Sequence, residues 1–265
     1  MSNAESPASG LSVVQDGRVL RVTITNSKRK NAINYDTMVA LGDAFVGAAQ
    51  DGSVRVIVLT GEGDDFCTGA DLSGVVSEAQ RGITPEMTMD AANRLVKAIV
   101  DAPVPVIARI RGAAAGIGVA LAVAADLTYA TEDAYLLLAF VNIGLMPDGG
   151  AAAMIAAAAG RGLAARMALL GERLPITEAV ACGVITGVLS EAELDATVEG
   201  AAAKLAAGPR RAIELTKRAL NQATLTALDT ALATEKTGQA ELLQSPDFLE
   251  GATAMLTKRK PVFAE

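Results

Sequence analysis

The sequence predicts an α/β fold built on parallel strands, and three observations carry that prediction. Residues 54–59 and 104–110 are almost continuously apolar, as strands covered on both faces are. Segments with helical periodicity, 35–49 and 85–100, alternate with them, which is the order a parallel sheet with crossover helices requires. At 265 residues and 27.0 kDa the chain can bury one large core without an interdomain linker.

In chain order, residues 11–25 alternate apolar and polar side chains about Asp16-Gly17, the pattern of a hairpin and its tight turn. A helix is expected over 35–49, then the buried strand 54–59, a loop over 60–70 and a flexible stretch through 75–84. Helix 85–100 leads through Pro103 and Pro105 into strand 104–110. The glycine-spaced turn Arg111-Gly112-Ala113-Ala114-Ala115-Gly116-Ile117-Gly118 opens an alanine-rich helix that ends near Asp126. Another helix begins near Gly149, its residues 151–159 reading as a close-packed alanine helix. From Glu191 the strand signal stops, and helices over 191–206, 209–223, 225–243 and 247–256 follow.

Composition excludes several function classes. Histidine is absent, so Ser-His-Asp and Cys-His nucleophile pairs, His-ligated zinc and an imidazole base are all ruled out. A net charge of −7 and 3% aromatic residues with no Trp give neither a large basic face nor stacking platforms for nucleic acid. Hydrophobic residues reach 51%, much of it alanine, and no run approaches the roughly 20 apolar residues of a membrane helix. Residues 1–10 are small and polar, read as a flexible tail without a signal region, so a cytoplasmic protein is expected. Cys67 and Cys182 suit a reducing compartment; Cys67 is either a packed small residue or a loop thiol near a pocket.

The chemistry concentrates between Pro105 and Gly150. Small residues let backbone N–H groups approach a ligand, and the first turn of a helix offers unpaired donors with positive partial charge. Residues 112–118 therefore read as an oxyanion site, with the carboxylate of Asp148 opposite.

This segment resembles the crotonase superfamily, the enoyl-CoA hydratase/isomerase family, and three further stretches agree. Asn31-Ala32-Ile33 is similar to the family's early Asn-Ala-Leu/Ile motif. Asp65-Phe66-Cys67-Thr68-Gly69-Ala70-Asp71-Leu72 resembles its Phe-x-x-Gly-Ala-Asp loop. Asp247-Phe248-Leu249-Glu250-Gly251 and Lys258-Arg259-Lys260-Pro261-Val262-Phe263 resemble its terminal signature. The resemblance implies a spiral of ββα repeats over 11–190, a helical trimerisation region over 191–265, and assembly into trimers or dimers of trimers. It implies an acyl-CoA substrate, with coenzyme A entering as the thioester and no metal or separate cofactor. It places the oxyanion N–H groups on Ala70 and Ile117 and the substrate-binding residues at Thr68, Gly69, Ala70, Asp71, Leu72, Gly116 and Phe140. Lys28 and Arg29, and Lys258 or Arg259 from the tail, would meet the phosphates of CoA.

Two departures from the family pattern bear on mechanism. Relatives commonly carry three glycines where this chain has Gly116-Ile117-Gly118, so a branched side chain narrows the site while the N–H remains. Hydratases of the family use two glutamates to position water and protonate the α-carbon, and those positions hold Ala120 and Phe140 here. A two-glutamate hydration mechanism is thus not expected. Asp148 remains, in a string resembling the 1,2-epoxyphenylacetyl-CoA isomerase type; it is either a proton-transfer group or an N-cap of the following helix. For Asp71, Asp126 and Glu132 a structural role is expected, ordering the loop, ending the alanine helix and lying in a polar turn. Leu137, Leu138 and Phe140 suggest an apolar tail pocket or core packing. The leading expectation is an enoyl-CoA isomerase; an Asp-nucleophile hydrolase or dehalogenase, an atypical hydratase and a non-catalytic acyl-CoA binder are the alternatives.

Overall fold

The computed structural model describes residues 10–263, so the expected flexible tail lies outside the described residues except for Gly10. Strands β1 (Leu11–Asp16) and β2 (Val19–Ile24) form the expected hairpin, with Leu11 opposite Ile24 and a turn at Gly17. Helix α1 (Tyr35–Gln50) starts where the Asn34 side chain accepts from the Thr37 N–H at 2.9 Å, satisfying one orphan donor of its first turn. Strand β3 (Val56–Gly61) returns parallel to β2, and helices α2 (Val75–Gln80) and α3 (Pro85–Val100) follow, α3 with a Thr84 cap and proline in its first turn. Strand β4 (Val106–Ile110) then lies parallel to β3.

Next come β5 (Ala113–Ala115), α4 (Ile117–Ala124), β6 (Leu127–Thr131), β7 (Tyr135–Leu137) and a 3-10 segment, Phe140–Ile143, the counterpart of an earlier one at Ser27–Arg29. Helices α5 (Ala151–Ala159) and α6 (Arg161–Leu170), strand β8 (Arg173–Pro175), helix α7 (Ile176–Ala181) and strand β9 (Gly187–Leu189) complete the strand-bearing region. Helices α8 (Glu191–Ala207), α9 (Arg210–Thr224), α10 (Leu228–Leu242) and α11 (Pro246–Leu256) follow, and residues 257–263 continue without regular structure.

The strands form a six-stranded sheet, β1-β2-β3-β4-β6-β9, parallel except for the β1–β2 hairpin, and a three-stranded sheet, β5-β7-β8. On one face of the larger sheet Leu59, Ala108 and Ile110 join α1, α3 and α4 in the main core. On the other, Val56, Val58 and Ile107 pack under Leu194, Val198 and Ala202 of α8. Residues of β3 and β4 thus divide between two apolar environments, which is why those strands read as continuous apolar runs. No helix among the described residues is long and apolar enough to cross a membrane.

Several elements differ from expectation. The 75–84 stretch contains α2, and the 111–118 turn contains β5. Strands β5, β7, β8 and β9 span three residues each, too short to show period-2 alternation, and β5 is all alanine, a weak strand former. Helices α6 and α7, and strand β6 after the alanine helix, were likewise not expected.

Candidate active site

A cavity of about 430 Å³ opens between the 68–72 loop, the start of α4, the 139–148 segment and the C-terminal helices. Two backbone segments meet at its base. Asn31, fully buried, donates through Nδ2 to the carbonyls of Glu62 and Asp65 at 2.9 and 2.6 Å, which fixes the loop leading to Gly69. The Ile33 N–H donates to Gly69 and the Asp71 N–H to Ile33, a parallel bridge that turns the N–H of Ala70 away from Ile33. Ile117 is the first residue of α4, so its N–H has no partner within the helix.

The two segments lie against each other: a methyl group on Gly116 would sit 3.4 Å from the Gly69 Cα. Gly116 has φ 54 and ψ −129, a conformation open to glycine alone, and this bend sets the entry direction of α4. At Gly118 the carbonyl of Cys67 approaches so closely that a Cβ would lie 2.2 Å from it. Of the glycines flanking Ile117, Gly116 thus serves the bend and Gly118 the close backbone approach. The Ile117 side chain is buried, close to Gly149.

Asp148 lines the cavity. Its Oδ2 accepts from Gln239 Nε2 at 3.0 Å, and its Oδ1 is buried without a protein partner. Burial pushes the carboxyl up to about 6, against the opposing pull of the Gln239 N–H. It does not cap α5: that helix begins after Gly150, with no side-chain cap. Nearby, Glu235 of α10 accepts from the Gly150 N–H at 2.7 Å. Burial raises Glu235 to about 7, the Gly150 N–H opposes this, and the charge of Asp148 adds to it.

Thr68, Gly69, Ala70, Leu72, Gly116, Ile117, Phe140 and Asp148 all line the cavity. Lys28, Arg29 and Asp71 are not among its lining residues; Arg29 Nη2 holds Asp71 Oδ1 at 3.1 Å, and Asp71 also accepts from Ser73, so this carboxylate orders the loop. Arg259 reaches the rim, paired with Glu250. Leu138 is a core residue and Leu137 belongs to β7; of the three apolar residues expected at a tail pocket, only Phe140 reaches the cavity. Cys67 is fully buried, its thiol pushed up to about 12 by burial, so it is a packing residue. Asp126 follows α4 and pairs with the buried Lys217 at 2.8 Å while accepting from the Val106 N–H at 2.7 Å. Burial pushes Asp126 up and Lys217 down, and their attraction opposes both shifts.

Sequence reasoning missed Glu235 and Gln239. A signal exists: α10 buries Leu228, Leu232, Glu235 and Gln239 at helical spacing, so two polar residues interrupt its apolar stripe. Met38 of α1 and Met89 of α3 were also missed as lining residues; their contribution depends on how α1 and α3 pack over the loop.

Comparison with known proteins assigns this fold to a family of acyl-CoA enzymes. The family model for enoyl-CoA hydratase/isomerase matches residues 15–265, so the chain belongs to that family and has the crotonase fold. It is 34% identical over 256 residues to the 1,2-epoxyphenylacetyl-CoA isomerase of Escherichia coli strain K12, covering 96% of this chain and 97% of that protein. It is 37% identical over 243 residues to a probable enoyl-CoA hydratase of Rhodobacter capsulatus, covering 91% and 93%. Among solved structures, an enoyl-CoA hydratase from Mycobacterium avium subsp. paratuberculosis K-10 is 44% identical with a TM-score of 0.90, covering 97% and 99%.

Proposed function

We propose that this protein is an enoyl-CoA isomerase that moves a C=C bond between the β,γ and α,β positions of an acyl-CoA, with Asp148 as the proton shuttle. One observation carries the reading: among the described residues lining the cavity, Asp148 is the sole carboxylate, and its burial raises it to about 6. A group near that value can accept a proton at neutral pH and return it in the same turnover. The N–H groups of Ala70 and Ile117 hold the thioester oxygen and stabilise the enolate that forms when the α-proton leaves. Asp148 takes that proton and delivers it to the γ-carbon, so the double bond migrates without net change in protons. Hydration demands a positioned water and a second proton-transfer group, and Ala120 and Phe140 supply neither. The reaction needs no metal or redox cofactor, since coenzyme A arrives as the substrate thioester. The isomerase among the relatives supports this reading, while the hydratases leave the family's other chemistry as its competitor.

Asp148→Asn tests it directly. The variant is expected to bind 3-enoyl-CoA normally and to lose isomerisation by roughly 10²–10⁴-fold, the span for a general acid–base group. Full turnover in Asp148→Asn would remove Asp148 from the mechanism. Wild-type protein that binds acyl-CoA tightly but turns over neither 3-enoyl-CoA nor 2-enoyl-CoA would make it a binder instead.

A further inference from the structure

Helix α10 holds the segment bearing Asp148 at three points. The Gln239 Oε1 accepts from the Met146 N–H at 3.2 Å, Gln239 Nε2 donates to Asp148 Oδ2 at 3.0 Å, and Glu235 accepts from the Gly150 N–H at 2.7 Å. Gln239 is 1% exposed, so both ends of its amide are committed inside the protein. The Met146 N–H can only donate, which forces the amide oxygen toward it and the NH₂ toward Asp148. That assignment has a chemical consequence. An oxygen facing an N–H donor cannot itself carry a hydrogen in the same direction, so Oδ2 stays an acceptor in both ionisation states. Oδ1, the oxygen without a protein partner, is left to hold the proton.

We propose that Gln239 is a positioning residue that selects the working atom of Asp148, holding Oδ2 so that Oδ1 takes and returns the substrate proton. The proposal rests on the reading of Asp148 as the proton shuttle. The surrounding charges are accounted for. From α3, Asp90 pairs with Lys236, Lys97 with Asp229 and Arg94 with Asp43, and Glu86 is held by Thr84 at the start of the helix. On α11, Glu250 pairs with Arg259, and Asp247 lies in the first turn. Helices α4 and α5 carry no charged residue. Glu235 is thus the titratable neighbour that couples to Asp148.

Two variants separate positioning from simple support of the 146–150 segment. Gln239→Met removes both the donor and the acceptor. It is expected to lower kcat about 10-fold or more, to leave KM for 3-enoyl-CoA within about threefold, and to move the acidic limb of kcat/KM up by about one pH unit, the size expected for one lost charge-assisted hydrogen bond. Gln239→Glu keeps an acceptor for Met146 but can donate to Asp148 only while protonated. Its profile is expected to become a bell with a new basic limb, because the pair works only while it shares one proton. Asp148→Asn measured alongside reports on the shuttle itself: if it retains turnover, the shuttle reading falls first. If Asp148→Asn is inactive but the pH profile of Gln239→Glu superimposes on that of wild type, Gln239 only braces the backbone and the proposal is wrong. Should Gln239→Met fail to fold, the Gln239→Glu profile decides alone.

Discussion

Asp148→Asn is expected to stabilise the protein while lowering isomerisation, and the gain should depend on pH. The carboxyl lies at about 6 in the folded chain against 3.8 for an unperturbed aspartate. Between those values the folded state keeps a proton that the unfolded state has released. Its stability is therefore fullest below about pH 4, falls as pH rises towards 6, and stays reduced above. At about 1.4 kcal/mol per pH unit of difference, ionising Asp148 costs the wild-type fold roughly 3 kcal/mol by pH 8. Asparagine has no charge to bury, and its Oδ1 can still accept from Gln239. Its NH₂ replaces the partnerless Oδ1 and returns roughly 1 kcal/mol as an unsatisfied donor. Removing the Asp148 charge also lets Glu235 ionise more readily, which acts in the same direction. Urea unfolding followed by circular dichroism at pH 4 and pH 8, at one fixed protein concentration, measures the effect. The stability of the variant relative to wild type should rise by about 2–3 kcal/mol between the two pH values. A difference independent of pH would refute the assignment of a raised carboxyl to this position.

Two further outcomes follow from other parts of the fold. Lys217→Met should destabilise the protein by about 3 kcal/mol in urea unfolding, because it leaves Asp126 without its cation; pairing it with Asp126→Asn should recover part of that loss in a double-mutant cycle. The protein should scatter light as three or six chains at micromolar concentration, since α11 exposes Leu249, Met255 and Leu256 and the residues after it expose Val262; a monomer would contradict the expected assembly.

What the sequence made legible follows from the length scale of each signal. The long parallel strands and α1 and α3 were readable because burial imposes a pattern over many residues. The three-residue strands of the second sheet carry no such pattern, and they exist because neighbouring segments present a partner edge. The backbone of the site was legible for a different reason: Gly116 takes a backbone conformation that favours glycine and Gly118 leaves no space for a side chain, constraints written into residue type. Asp148 stood out as a carboxylate beside glycines. The residues that govern it did not, because Gln239 lies 91 positions away and meets it only when α10 folds back across the cavity. Cys67 shows the converse, a reactive residue type beside the site that packing makes inert.

Positions 120 and 140, where the resemblance puts the glutamates of hydratases, are both buried. A Cβ on Gly149 would lie 2.8 Å from the Ala120 side chain and 2.7 Å from that of Ile117, so α4 presses directly on the turn that carries Asp148. A glutamate at position 120 has no room unless that turn moves away, and moving it breaks the hydrogen bonds of Met146 and Gly150 to α10. The Phe140 ring lies beside Gly116 and presents apolar surface to the cavity. Burial raises the Asp148 carboxyl to about 6. The small residue at 120 admits the turn that carries Asp148, and α10 holds that turn through Met146, Asp148 and Gly150. If Asp148 is the proton shuttle, Ala120→Glu should therefore lower isomerisation of 3-enoyl-CoA, because the longer side chain displaces the turn that carries the carboxyl; unchanged turnover would refute this.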